Sequence, residues 1–222
     1  YEKYVYDIYP KNTGYLIFSG TQKGELQENG THIEAEEHAG AEYSAISSNK
    51  SGNSKINPQK NPLNLQFFIS IPEQANDNQT VLQKSQNSAY NWGTYLSASS
   101  DTTKCNIDFL INSGSRSLKS SLEVPKGKFI YVACEYHDCD QKSKITVFPS
   151  SDSRQHLFAS SSKQVYFESL APLGKLNIGK GEPVRDGFET FIPRQSFSGS
   201  VDELRIFHKS FSTNELQKNA YR

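Results

Sequence analysis

Apolar and polar residues alternate in short runs broken by turn formers, a pattern that predicts strands almost throughout. The strongest run is Leu63-Asn-Leu-Gln-Phe-Phe-Ile-Ser-Ile71, ended by Pro72. Cys105–Ile111 alternates cleanly, turns at Asn112-Ser-Gly114, and predicts a hairpin with Ser117–Val124. Phe129–Tyr136 and Lys144–Phe148 predict a second hairpin across the polar loop His137–Ser143. Shorter strands are expected at Gly14–Gly20, around Thr31-His-Ile-Glu-Ala35, and at Thr80–Leu82, Tyr90–Leu96, Val165–Ser169 and Lys175–Ile178. An edge strand is expected within Tyr1–Pro10. Asn49–Pro62 is too rich in Ser, Asn, Gly, Lys and Pro to bury a core and reads as a long exposed loop, with Glu73–Asn78 as a second.

The last quarter closes the pattern. Val201, Leu204 and Ile206 set against Asp202, Glu203 and Arg205 mark a half-buried alternating strand, and Gly199 before it permits a tight backbone approach. Ser212-Thr-Asn-Glu215 then reads as a capping box for a short terminal helix. A dozen strands at regular spacing with one helical turn predict an all-β, two-sheet antiparallel sandwich.

Phe197-Ser-Gly-Ser-Val-Asp-Glu-Leu-Arg-Ile-Phe207 with Phe211-Ser-Thr-Asn-Glu-Leu216 resembles the closing segment of laminin-G-like domains of the concanavalin A-like lectin/glucanase superfamily. Upstream, Leu176-Asn-Ile-Gly179 resembles the "Leu-x-Ile-Gly" strand. Pro125 to Tyr136 resembles "Gly-x-Trp-x-x-Val-Ala-x-x-Tyr", with Phe129 in place of the Trp. Tyr15-Leu-Ile-Phe-Ser-Gly20 is similar to "Leu-x-Phe-Asp-Gly", with Ser19 where an Asp is usual. The resemblance implies a concanavalin A-like jelly roll spanning residues 1–222 as one domain, and the lack of an initiator Met or signal peptide reads as an excised part of a larger protein.

Composition adjusts this picture only a little. The 222 residues fit a single sandwich. Hydrophobic content of 35% is low, but 12 Tyr and 13 Phe point to an aromatic core. A formal charge of zero argues against nucleic acid or an anionic membrane surface as partner. No apolar run approaches the roughly 20 residues that span a bilayer. Three sequons, at Asn29, Asn49 and Asn78, are glycosylation candidates and point to an extracellular or cell-surface module.

Several constellations could carry chemistry. Asp202 is a candidate Ca²⁺ ligand, because Ca²⁺ takes six to eight hard oxygens and laminin-G-like relatives often use an acidic residue here. Ser19 removes one candidate carboxylate, and the competing reading pairs Glu203 with Arg205 on the outer face of the sheet. Glu135, His137, Asp138 and Asp140 surround Cys134 and Cys139, a mixture that transition metals use. No Cys-x-x-Cys spacing completes a tetrahedral set, so the favoured expectation is a hairpin tied by a disulfide from Cys139 to Cys134 or Cys105.

Glu34, Glu36, Glu37 and His38 invite a glycosidase reading, since paired carboxylates run that chemistry. The Glu-x-Asp-x-x-Glu pattern that the superfamily's hydrolases would imply is absent, which leaves a solvated acidic loop. Trp92, Tyr95 and Asn91 form a candidate sugar-stacking platform, with Trp92 as core filler the competing reading. Arg185, Asp186, Phe188, Phe191 and Arg194 lie in an insertion that serves either as a contact surface or as cover for a sheet. The favoured expectation is a non-catalytic module that binds a glycan or a protein partner. The alternatives are a glycoside hydrolase or lyase of the superfamily, and a structural assembly domain that recognises no sugar.

Overall fold

The computed structural model describes residues 6–7, 15–22, 25–35, 56–75, 78–137, 139–149, 156–187 and 189–220. Its strands begin with β1 (Tyr6–Asp7), β2 (Leu16–Ser19), β3 (Ile33–Ala35), β4 (Leu63–Ser70), β5 (Gln79–Asn87), β6 (Tyr90–Ala98), β7 (Lys104–Ser113) and β8 (Arg116–Pro125). Then come β9 (Phe129–His137), β10 (Lys142–Phe148), β11 (Leu157–Ser160), β12 (Leu176–Ile178), β13 (Val184–Asp186), β14 (Glu189–Phe191), β15 (Gln195–Ser196) and β16 (Ser198–Phe207). The helix α1 (Thr213–Ala220) ends the series.

Among the described residues the strands form two seven-stranded sheets. The first runs β1-β16-β4-β9-β10-β11, with β2 also paired to β16. The second runs β3-β12-β5-β6-β7-β8, with β15 beside β5. Every pairing is antiparallel except β15 with β5. Consecutive long strands β5 to β8 form the body of the second sheet, to which β3, β12 and β15 add from distant parts of the chain, and the first likewise draws β4, β9 and β16 together from afar.

Alternation decides which side chains meet between the sheets. From the first sheet, Leu63, Leu65, Phe67 and Ile69 of β4 point inward, joined by Val132 and Cys134 of β9. They share one buried cluster with Trp92, Leu96, Ile107, Phe109 and Ile111 of the second sheet. In β16 the register shifts between Asp202 and Arg205, and Glu203 takes a φ of 47°. This bulge breaks the expected alternation: it inserts a residue, so that Val201 and Leu204 both reach the core. Gly199, at φ 149°, passes so near β4 that a Cβ there would lie 2.4 Å from the Ser70 carbonyl oxygen.

Helix α1 seals the outer face of the first sheet. Ser212 accepts the Glu215 amide at 3.3 Å and donates its own amide to Glu215 Oε2 at 2.7 Å, the expected capping box. Leu216 and Ala220 pack with Phe207, Phe211, Tyr131 and Phe148. Beneath them lies a buried polar layer in which Asn64 donates to Glu135 at 2.5 Å, while Tyr131 and Asn219 donate to Gln66 Oε1 at 2.5 and 3.0 Å. No described helix is long and apolar enough to cross a membrane.

Two local expectations are corrected. Val165–Ser169 forms no strand; the edge strand is β11, eight residues earlier, because its residues find a partner in β10. Of the loop expected over Asn49–Pro62, the described part is not exposed throughout: Ile56 joins the core and Asn57 is buried, donating to the Pro172 carbonyl at 3.1 Å. Of the edge strand expected within Tyr1–Pro10, the described part is Tyr6–Asp7, paired with Ile206 and Arg205.

Candidate functional site

The outer face of the second sheet is unusually polar for a surface that is largely covered. Cross-strand register places Glu34, Asn177, Gln83, Gly93, Leu110 and Lys119 in one row. A neighbouring row carries Ser85, Asn91, Asn112 and Ser117. The β13–β14 hairpin lies across the middle of this face, where Val184 and Phe191 bury Tyr95 and Leu110. Lys119 pins the hairpin through Asp186 at 2.7 Å, and Asn112 donates to the Arg185 carbonyl at 2.9 Å. Gly93 makes room for this arrangement, since a Cβ there would come within 2.8 Å of the Tyr95 hydroxyl.

The hairpin leaves openings at either side. On one side is a cavity of about 530 Å³ between the sheet and segment 168–173, lined among others by Tyr90, Asn91, Trp92, Asn112, Glu168 and Pro172. Tyr90 exposes 44% of its surface at the rim. Trp92 Nε1 and Asn112 Oδ1, on opposite faces of the sheet, are closed to solvent and hydrogen-bonded to no described residue. Asn91 is held by its amide nitrogen to the carbonyls of Asn87 and Ser88, both at 2.9 Å, and accepts from Asn112 at 3.0 Å.

On the other side is a groove of about 640 Å³ lined by Glu25, Glu28, Glu34, Lys175, Lys180 and Arg194, among others. Glu34 meets Lys180 at 2.5 Å and Lys175 at 3.0 Å. Hydrogen bonds from these two ammonium groups, Lys180 first, hold its carboxyl down at about 2.

No protein-family model matches the chain and no curated protein matches it. Similarity to solved structures decides the architecture. The heptameric SAP-like pentraxin of Limulus polyphemus aligns over 92% of this chain and 80% of its own, at 17% identity and a TM-score of 0.56. The fold is a concanavalin A-like jelly roll. The CBM40 of the Ruminococcus gnavus IT-sialidase covers 74% of this chain and 85% of its own, at 11% identity and a TM-score of 0.50. Domains LG4-5 of the mouse laminin alpha1 chain cover 72% of this chain and 40% of their own, at 12% identity and a TM-score of 0.46.

Within this jelly roll the expected sites fall in different places. The platform of Trp92, Tyr95 and Asn91 is corrected: all three are fully buried. Trp92 points between the sheets and Tyr95 points outward beneath Phe191, so the rings lie on opposite faces and offer no shared stacking surface. Asn91 and Trp92 nevertheless line the same cavity, and the ring that reaches solvent there is Tyr90, which the platform expected from Trp92, Tyr95 and Asn91 does not include.

Arg185 donates to the Gly114 carbonyl at 3.1 Å, while Arg194 is exposed in the opposite groove, so the two arginines do not converge. Asp202 is half-buried at the bulge in the other sheet, accepting the Glu203 amide at 2.8 Å, and Glu203 pairs with Arg205 at 2.5 Å. Asn29 is exposed and Asn78 half-buried. Asn49, Glu36, Glu37, His38, Asp138 and Phe188 lie outside the described residues.

The disulfide is also corrected, since all three cysteines are free. Cys105 and Cys134 project into the core from different sheets, while Cys139 is exposed in the β9–β10 turn, facing away from both. Burial pushes the Cys105 thiol up to about 11 and that of Cys134 to about 12.

Proposed function

We propose that this jelly roll is a non-catalytic glycan-binding module whose site is the cavity beside Tyr90. One observation carries the reading: an exposed aromatic ring stands at the rim of a recess whose lining is mostly uncharged and rich in carboxamides. A tyrosine face packs against the apolar side of a sugar ring, and carboxamides donate to and accept from its hydroxyls. Gln86, Asn91, Asn112 and Ser113 outnumber the two charged lining groups, Lys60 and Glu168, which fits an uncharged saccharide.

Hydrolysis is the weaker reading on electrostatic grounds. A glycosidase needs one carboxyl held protonated beside an ionised one. The groove's Glu34 is clamped in its ionised form by Lys180 and Lys175, which unsuits it for the protonated role.

A glycan array with the whole chain, repeated with Tyr90→Ala, tests the proposal. Wild type is expected to retain a defined set of uncharged glycans and the variant to lose them at unchanged thermal stability. Retention by Tyr90→Ala equal to wild type, or release of reducing sugar from the bound glycans, would overturn it.

A further inference from the structure

The β9–β10 turn brings three different donors together away from the cavity and the groove. His137 ends β9, and Cys139 and Asp140 form the turn. One ligand atom from each lies within 4.8 Å of the other two. Tetrahedral zinc, with bonds of about 2.0–2.3 Å to nitrogen, sulfur and oxygen, needs donors about 3.3–3.7 Å apart, so the side chains have to close in on binding, and both turn residues are exposed.

The histidine has a carboxylate neighbour of the kind that supports metal-bound imidazoles. The Glu135 carboxylate, itself buried, stands 3.6 Å from His137 Nε2, a ring nitrogen closed to solvent. That distance is a charge contact and not a hydrogen bond; drawing the two groups together on metal binding would fix the tautomer and leave the other nitrogen to ligate. Glu135 is held in turn by the amide of Asn64 at 2.5 Å and by the backbone of Phe211 at 3.2 Å. Asp140 is ordered by accepting the Lys142 amide at 3.0 Å through Oδ1, which leaves Oδ2 to ligate.

We propose that His137, Cys139 and Asp140 form a three-ligand site for a zinc-type divalent ion, open at its fourth position, with Glu135 as the positioning residue. A thiolate, an imidazole and a carboxylate select a borderline-soft ion over Ca²⁺ or Mg²⁺. On binding, the Cys139 thiol gives up its proton to solvent as the metal–sulfur bond forms.

Titration of the metal-stripped, reduced chain with Co²⁺ tests this. Wild type is expected to develop a thiolate-to-metal charge-transfer band that saturates at one ion per chain and is displaced by Zn²⁺. Cys139→Ser should lose the band, and Asp140→Asn should bind Zn²⁺ at least ~10-fold more weakly. Both changes lie at exposed turn positions, and Trp92 fluorescence checks that the fold is intact. Absence of the band in wild type, its survival in Cys139→Ser, or unchanged Zn²⁺ affinity in Asp140→Asn would overturn the proposal.

Discussion

Phe191 is the anchor by which the β13–β14 hairpin covers the second sheet, and Phe191→Ala measures how firmly it does so. The side chain is only 6% exposed and its ring lies 5.0 Å from that of Tyr95. Burying such a side chain contributes ~1.5–3 kcal/mol, and the aromatic pair adds ~0.5–1.5 kcal/mol. The hairpin can settle towards the sheet after truncation, so the cavity penalty stays small. The expected loss is therefore about 3 kcal/mol.

For a chain of this size, each kcal/mol shifts Tm by ~2–4 °C, so melting should fall by about 6–12 °C if the hairpin unfolds with the sandwich. If the hairpin instead detaches alone, the loss shows in hydrogen exchange. The Arg185 amide, bonded to the Ser88 carbonyl at 3.1 Å, should then exchange about 100-fold faster. Trp92, the single tryptophan and fully buried, reports global unfolding. A Tm within ~1 °C of wild type together with unchanged Arg185 exchange would refute the reasoning, because the hairpin would then be a contact loop and not a cover.

Other expectations follow from the same geometry. In metal-free native buffer one of the three thiols, Cys139, should react readily with a disulfide reagent, and all three should react in denaturant. Fewer than three reactive thiols in denaturant would restore a disulfide. Gly199→Ala forces a side chain into a left-handed backbone region against the Ser70 carbonyl and should cost about 2–3 kcal/mol in a denaturant titration; a loss below ~0.5 kcal/mol would count against the close approach of β16 and β4. Glu34 has a carboxyl held low in the folded state, so its contribution is complete above the unfolded value near 4.5 and is lost as pH falls towards about 2. Because the group is substantially solvated, Glu34→Gln should remove less than ~1 kcal/mol of the stability measured at neutral pH and flatten its fall below pH 4.5.

Much of the sandwich was legible because its long strands carry local signals. Leu63–Ile71, the Cys105–Val124 hairpin and the Ser212–Glu215 cap each declare themselves within ten or twenty residues. What escaped depends on distant partners. The bulge at Asp202–Glu203 is visible as two successive polar residues, yet only pairing with β4 shows that Val201 and Leu204 share a face. Leu157-Phe-Ala-Ser160 is a mostly apolar run too short to declare a strand by itself, and only β10 supplies its partner. Trp92 and Tyr95 are three apart, an odd separation that places them on opposite faces of a strand, and that arithmetic alone argues against a shared platform. Tyr90, an even step from Trp92, becomes interesting only once segment 168–173 is seen to wall its cavity.

The placement of the cavity follows from how this jelly roll hides its sheets. An antiparallel sheet commonly leaves one face wet, but here α1 covers one outer face and the β13–β14 hairpin crosses the other. A covered face has little room for a ligand, so the proposed recognition site lies where the cover stops. On the second sheet it stops on both sides of the hairpin, and the two margins differ in chemistry. Amides and an aromatic ring gather around Tyr90, while interlocked ammonium and carboxylate groups fill the margin around Glu34. In the groove, Lys175 and Lys180 already neutralise the Glu34 carboxylate, so a ligand entering there has to break ion pairs first. The Tyr90 cavity is lined chiefly by uncharged groups. Desolvation therefore favours the Tyr90 side, since the paired charges of the groove must be separated before a ligand can take their place.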